Sequence, residues 1–124
     1  MALPHAQLLD VINVSPLGAR LPGSASSSLL KTDRLQLLHL VLAAHQSQPE
    51  HHVDDECTLH CLEGEVEVQM PGGLRHLRPG ELLALPARQP HALKARSDAA
   101  LLVTLVLRDG DAGDGGGSSR HRPG

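Results

Sequence analysis

Residues Glu50 to His91 read EHHVDDECTLHCLEGEVEVQMPGGLRHLRPGELLALPARQPH, and the pattern of this stretch decides the fold. Apolar and polar residues alternate in short runs, separated by turn residues at Glu63-Gly64, at Pro71-Gly72-Gly73 and at Pro79-Gly80. Alternation with a period of two predicts β-strands, and glycine or proline between the runs predicts tight turns. Strands this short and evenly spaced predict a small antiparallel barrel or sandwich that brings distant histidines together.

The same pattern continues on both sides of this stretch. The run LQLLHLVLAA is compatible with a buried helix by periodicity alone, but the turns around it favour a strand. We predict eight strands: Leu29–Lys31, Leu35–Ala43, Cys57–Leu62, Glu65–Met70, Arg75–Leu77, Glu81–Leu85, His91–Arg96 and Ala100–Leu107. The predicted organisation is an N-terminal arm and loop over residues 1–28, a β-barrel over 29–108 and a disordered Gly-rich tail over 109–124.

The composition restricts both the core and the partners. A chain of 124 residues is long enough for one domain with a core, but it contains no Phe, Tyr or Trp. Leu, Val and Ala must therefore fill the core, which favours a homodimer that buries further apolar area. The net charge of -3, the lack of a basic run and the lack of aromatic residues argue against nucleic-acid binding.

The chain also lacks an apolar run of membrane-spanning length and a recognisable signal peptide, so no membrane partner is expected. Cys57 and Cys61, four residues apart on one strand, would lie roughly 13 Å from each other, which is too far for a disulfide. Two reduced thiols predict a cytoplasmic protein.

Nine histidines are present, and they divide into two groups. Those without obvious partners are interpreted as surface residues: His5, His39, His45 and His121. The others occur close to acidic or thiol groups, and imidazole, carboxylate and thiolate are the groups that bind transition metals. The candidate set comprises His51, His52, His60, His76 and His91, together with Glu50, Glu56 and Cys57.

Strand alternation indicates which of these residues can converge. If His52 points into the barrel, Glu50 does so too, whereas His51 points outward. On the next strand the odd-numbered residues of Cys57–Cys61 form the better inward face, which leaves His60 facing outward or into an interface. A β-bulge would reverse either assignment.

The second half of the stretch resembles a motif of the cupin superfamily, G-x5-P-x-G-x2-H-x3-N. Gly80, Pro86 and His91 stand at the matching positions, whereas Arg88 replaces the second Gly and Ala95 replaces the Asn.

The first half resembles the other cupin motif, G-x5-H-x-H-x3or4-E-x6-G, with substitutions at two ligand positions. Alignment on Gly64 places His52 at the second His, Glu50 at the first His and Cys57 at the acidic residue. Together the similarities cover roughly Leu29 to Leu107 in the expected order.

This resemblance implies an all-β fold, a small jelly-roll-like double-stranded β-helix barrel of the RmlC-like type, often paired as a homodimer. In this superfamily, histidines and a carboxylate hold a divalent metal such as zinc, iron, nickel or manganese. The implied ligands are His52 and His91, with Cys57, His60, His51 and Glu50 as further candidates.

Three functions are compatible with this pattern. The first is a metal-dependent enzyme acting on a small organic molecule, such as an oxygenase, isomerase or decarboxylase. The second is a non-catalytic module that binds or senses a small ligand in a Leu/Val-lined barrel without a functional metal. The third is a barrel packed shut that acts through dimer contacts, although the shortage of large side chains argues against complete filling.

Overall fold

A computed structural model describes residues 5–107 of the chain. The Gly-rich segment 109–124, for which disorder is predicted from sequence, lies outside the described residues. One short 3₁₀ turn, Gly18–Arg20, precedes the strands, and the described residues contain no helix with the length and hydrophobicity needed to cross a membrane. The strands are β1 (Ser27–Lys31), β2 (Leu35–Leu42), β3 (Ser47–His51), β4 (Cys57–Glu63), β5 (Val66–Met70), β6 (Gly73–Leu77), β7 (Leu82–Leu85), β8 (His91–Ala95) and β9 (Ala99–Val106).

The strands form two antiparallel sheets that pack face to face. Sheet A has five strands in the order β1-β2-β9-β4-β7, and sheet B has four in the order β3-β8-β5-β6. Strands adjacent in sequence repeatedly belong to opposite sheets, which is the arrangement of a jelly roll. The predicted all-β, jelly-roll-like barrel is therefore confirmed, as is the preference for a strand over a helix at Leu35–Leu42.

The core lies between the inner faces of the two sheets and consists of Leu, Val, Ala and both cysteines. On β4 every second residue is buried, so that Cys57, Leu59 and Cys61 belong to the core as the alternation predicts. The Cys61 thiol donates to the carbonyls of Glu63 and Gly64, and both cysteines are free. Burial raises the pKa of Cys61 to about 11, so it remains a neutral thiol that packs as a small apolar residue.

Strand β3 is the one strand of the structure that is absent from the eight predicted strands. Its five residues are SQPEH, all polar apart from a central proline, and four of them are exposed. Such a sequence resembles a loop, and only an edge strand tolerates proline because one side of its backbone is unpaired. β3 occupies the edge of sheet B, where its backbone pairs with β8.

The N-terminal arm lies against the outer surface of sheet A. The backbone N–H groups of Leu17 and Gly18 donate to the carboxylate of Glu63, at 2.7 and 3.0 Å. A cavity of about 310 Å³ separates the arm from β1 and β2 and is lined by arm residues and by His39. The arm therefore covers one end of this surface and leaves the other end uncovered.

Gly64 lies in the turn between β4 and β5, close to the backbone of Asp98 and Ala99. Its φ of +74° is in the left-handed region, and a Cβ at this position would lie 2.1 Å from the carbonyl oxygen of Asp98. Both the backbone angle and the lack of space therefore require glycine here. Gly72 has a similar φ of +83°, but a Cβ added there would have no atom within 4 Å.

We predict that Gly64→Ala lowers the free energy of unfolding by at least ~3 kcal/mol, because backbone must move to accommodate the methyl group. Gly72→Ala is the matched control and should cost only about 1–2 kcal/mol, the cost of a left-handed non-glycine residue. Urea denaturation of both variants measures the difference. Equal losses in the two variants would contradict the steric explanation.

Candidate functional site

The candidate residues gather at one end of the barrel, where several strands begin or end. β3 ends at His51, β8 begins at His91, β4 begins at Cys57 and β7 ends at Leu85. Because antiparallel neighbours bring the end of one strand beside the start of the next, residues far apart in sequence become adjacent here. We call this end the barrel mouth.

A β-bulge in β3 selects the histidine that faces the mouth. Gln48 pairs with Leu93 and His51 with His91, so three steps along β3 correspond to two along β8. The extra residue reverses the alternation, and His51, rather than Glu50, becomes the register partner of His91. The His51 and His91 ring centroids are 4.4 Å apart and the rings are tilted by 52°. The alternation rule that places His51 outward therefore fails at this bulge.

The two imidazoles have the same hydrogen-bond pattern. His91 Nδ1 lies 2.9 Å from the carbonyl oxygen of Gln89, and His51 Nδ1 lies 3.3 Å from that of Pro49. Because a carbonyl can only accept, Nδ1 is the protonated nitrogen of each ring, and in the neutral ring Nε2 has the lone pair. A backbone carbonyl bonded to the non-coordinating nitrogen is the usual second contact of a metal-binding histidine.

His91 is the buried polar residue of the mouth, with 3% of its surface exposed. Burial lowers its pKa, and the nearby charges of His51 and His52 lower it further, whereas the hydrogen bond to Gln89 opposes the shift. The charged form is disfavoured because burial removes the water that would solvate it. His91 is therefore neutral at pH 7, which is the form that binds metals or accepts a hydrogen bond.

A backbone contact joins the two loops that flank the mouth. The N–H of Arg88 donates to the carbonyl of Val53 at 2.9 Å, which connects the β7–β8 loop to the loop after β3. Arg88 has a φ of +60°, in the left-handed region that favours glycine. It occupies the position where the second cupin motif has glycine, which explains that preference physically. The sequence pattern does not predict the contact between Arg88 and Val53, although Pro86 and Pro90 mark the loop that contains Arg88.

Cys57, which aligns with the acidic ligand position, lies in the core. It pairs in register with Leu85 and Leu105, and 3% of its surface is exposed. Burial raises its pKa, so the group is a neutral thiol at pH 7. A neutral thiol is a poor metal ligand, because the thiolate is the form that binds.

The remaining candidates lie outside the imidazole pair. Glu50 and His52 are exposed, although His52 is near enough for its charge to affect His91. His60 lies on the outward face of β4 between Leu82 and Leu102, away from the core face that contains Cys57. His76 is on β6, where its Nε2 lies 3.2 Å from Glu65.

The donor set fits the family's metal centre only in part. The imidazoles of His51 and His91 lie together at the mouth, but residues 5–107 contain no group of three His, Cys, Asp or Glu side chains arranged to hold a metal ion. A metal held by His51 and His91 would need His52 to rotate inward or a bound molecule to complete its coordination.

We predict that the free energy of unfolding falls as the pH decreases below about 6.5, the ordinary pKa of imidazole. The unfolded state binds the proton at that pH, whereas folded His91 does so only at a lower pH, so protonation favours unfolding. His91→Asn retains a donor for the Gln89 carbonyl but does not titrate, and its stability should decrease less steeply between about pH 7 and pH 5. Urea titrations across this range give the two slopes. Parallel curves for wild type and variant would contradict the assignment.

Comparison with known proteins relates this geometry to a family. Residues 38–107 match the model of the Cupin domain family, while a search of curated proteins gives no match. A cupin superfamily protein from Desulfitobacterium hafniense DCB-2 is similar in structure, with a TM-score of 0.64 and 23% identity over 67% of this chain and 76% of that one.

Two further solved structures are similar. An RmlC-like cupin from Desulfovibrio desulfuricans gives a TM-score of 0.60 and 25% identity over 65% of this chain and 79% of that one. The polyketide cyclase RemF from Streptomyces resistomycificus gives 0.61 and 23% identity over 67% and 64%. Because the family model spans more than half of the chain, the protein belongs to the cupin family.

Proposed function

We propose that this cupin binds a small organic molecule at the barrel mouth together with a divalent metal held by His51 and His91. The observation that supports the proposal is the matched pair of imidazoles, 4.4 Å apart, each with Nδ1 bonded to a backbone carbonyl. These hydrogen bonds orient both rings and direct the Nε2 lone pairs away from the backbone.

The metal would be zinc, nickel, iron or manganese, because imidazole ligands suit this group. His52 is the third candidate ligand, since it follows His51 directly and its charge contributes to lowering the pKa of His91. Glu50 could supply an oxygen, whereas the buried Cys57 thiol would remain unligated. When bound, such a metal would supply a Lewis acid that polarises a carbonyl or carboxylate oxygen of the ligand.

Two imidazoles leave several coordination positions open, which a small molecule with oxygen donors can fill. The structural similarity to a polyketide cyclase supports a small organic molecule as the ligand. The single lone pair of neutral His91, on Nε2, binds either the metal or a hydrogen-bond donor, so in the metal-free protein the mouth favours a ligand with a hydroxyl or other donor group. We further propose a cytoplasmic setting, because the two free thiols are buried and neutral.

A metal titration tests this proposal. Calorimetry with zinc and nickel should give one site per 124-residue chain carrying His121→Ala, a background that removes the histidine of the Gly-rich tail. His51→Ala and His91→Ala should each weaken binding by at least ~10-fold, the effect that even second-shell partners have. His60→Ala is the matched control and should bind as the background does, because His60 faces outward from β4.

The titration also separates the proposal from a metal-free binding module. That alternative is favoured by the thiol at the acidic ligand position and by the lack of a three-residue donor group within residues 5–107. If zinc, nickel, iron and manganese all fail to bind, the metal proposal is wrong. Thermal shifts with small organic acids that disappear in His91→Ala would then support the metal-free module.

A further inference from the structure

The N-terminal arm is bound to the barrel at two points. At one point the N–H of Ala6 donates to the carbonyl of Leu29 on β1, at 2.9 Å. At the other the carboxylate of Glu63 accepts the N–H groups of Leu17 and Gly18. Between these two points a cavity of about 310 Å³ separates the arm from β1 and β2. We call this space the arm cavity.

A β-bulge in β1 shapes the sheet side of the arm cavity. Two steps along β1, from Ser28 to Leu30, correspond to one step along β2, so Leu29 is the extra residue. A bulged residue is left out of the regular ladder. The carbonyl of Leu29 is therefore available to Ala6, and its side chain lines the cavity. One irregularity both fixes the arm and supplies an apolar wall beneath it.

The polar side chains of the arm cavity have unused hydrogen-bonding groups. Ser27 and His39 are register partners on β1 and β2, so their side chains lie side by side at the cavity. Asn13 and Ser15 line it from the arm, where the N–H of Ser15 donates to Asn13 Oδ1 at 2.8 Å. Within residues 5–107 no hydrogen bond engages the amide nitrogen of Asn13, the two serine hydroxyls or the His39 ring. Four side chains are therefore available to a bound molecule.

The rest of the lining is mostly apolar. The hydroxyl of Ser24 donates to the carbonyl of Arg20, and no Lys, Arg, Asp or Glu side chain lines the arm cavity. An ion bound here would lose hydration without gaining a counter-charge, which is costly. The cavity therefore suits an uncharged molecule that has both polar and hydrocarbon surface. The apolar lining comprises Val14, Leu17, Ala25 and Leu29.

We propose that the arm cavity binds an uncharged cyclic polyol, at a site separate from the barrel mouth. A serine hydroxyl and a neutral imidazole can each donate and accept, and so can every hydroxyl of such a ligand. The C–H groups of its ring can pack against Val14, Leu17 and Leu29. A volume of about 310 Å³ is at the lower end of the range for small-molecule sites. The site uses neither His51 nor His91, so its occupation is independent of a metal at the mouth.

An NMR titration of the 124-residue protein with myo-inositol and with methyl α-glucopyranoside tests the proposal. At least one probe should give saturable amide shifts in the arm and β1, with a dissociation constant of about 1 mM or lower, which molecules of this size can reach. Glucuronate has a similar ring with a carboxylate and should bind at least ~10-fold more weakly, because the lining offers it no Lys or Arg.

Two variants test the assigned side chains. His39→Leu and Ser27→Ala should each weaken polyol binding by about 10-fold, because a ligand hydroxyl loses its partner. Circular dichroism verifies that both variants fold.

His60→Leu is the matched control. His60 pairs with Leu102 from β4 as His39 does from β2, but it does not line the arm cavity, so this variant should bind as wild type does. Absence of saturable shifts with both polyols, or shifts confined to the barrel mouth, would overturn the proposal. Equal binding of glucuronate, or equal losses in His39→Leu and His60→Leu, would overturn it as well.

Discussion

The antiparallel pairing of β3 with β8 determines where the imidazoles of this protein lie. β3 has little apolar surface, so backbone hydrogen bonds to β8 and the contact from Arg88 to Val53 must hold it in place. The bulge in β3 then sets the register that places His51 opposite His91. A one-residue change in this register would place Glu50 or His52 opposite His91 instead, because neighbouring residues of a strand point to opposite sides.

The substitution of a thiol for the family's acidic ligand connects the site to the core. A carboxylate at Cys57 would need a metal or a hydrogen-bond partner to offset its burial, whereas a neutral thiol needs neither. In a chain without aromatic residues, Cys57 instead extends the row of Leu and Val side chains between the sheets. The barrel mouth therefore has the two imidazoles that we propose as metal ligands, while the residue aligned with the acidic ligand is part of the core.

The outer surfaces of the two sheets differ in their chemistry. Sheet B has the ion pair between Arg96 and Glu67 on its outer side, whereas sheet A exposes Leu82 and Val106.

The sequence by itself determined the fold class, eight of the nine strands and the inward face of β4, since these depend on local alternation and turn residues. It also predicts six candidate ligands, among them His91, whose assignment depends on the motif around Pro86. Tertiary structure alone decided that β3 is a strand, because SQPEH has no strand pattern and pairs only when β8 is adjacent. It also decided that His51 opposes His91, because a bulge arises from the pairing of two strands and leaves no signal in either sequence.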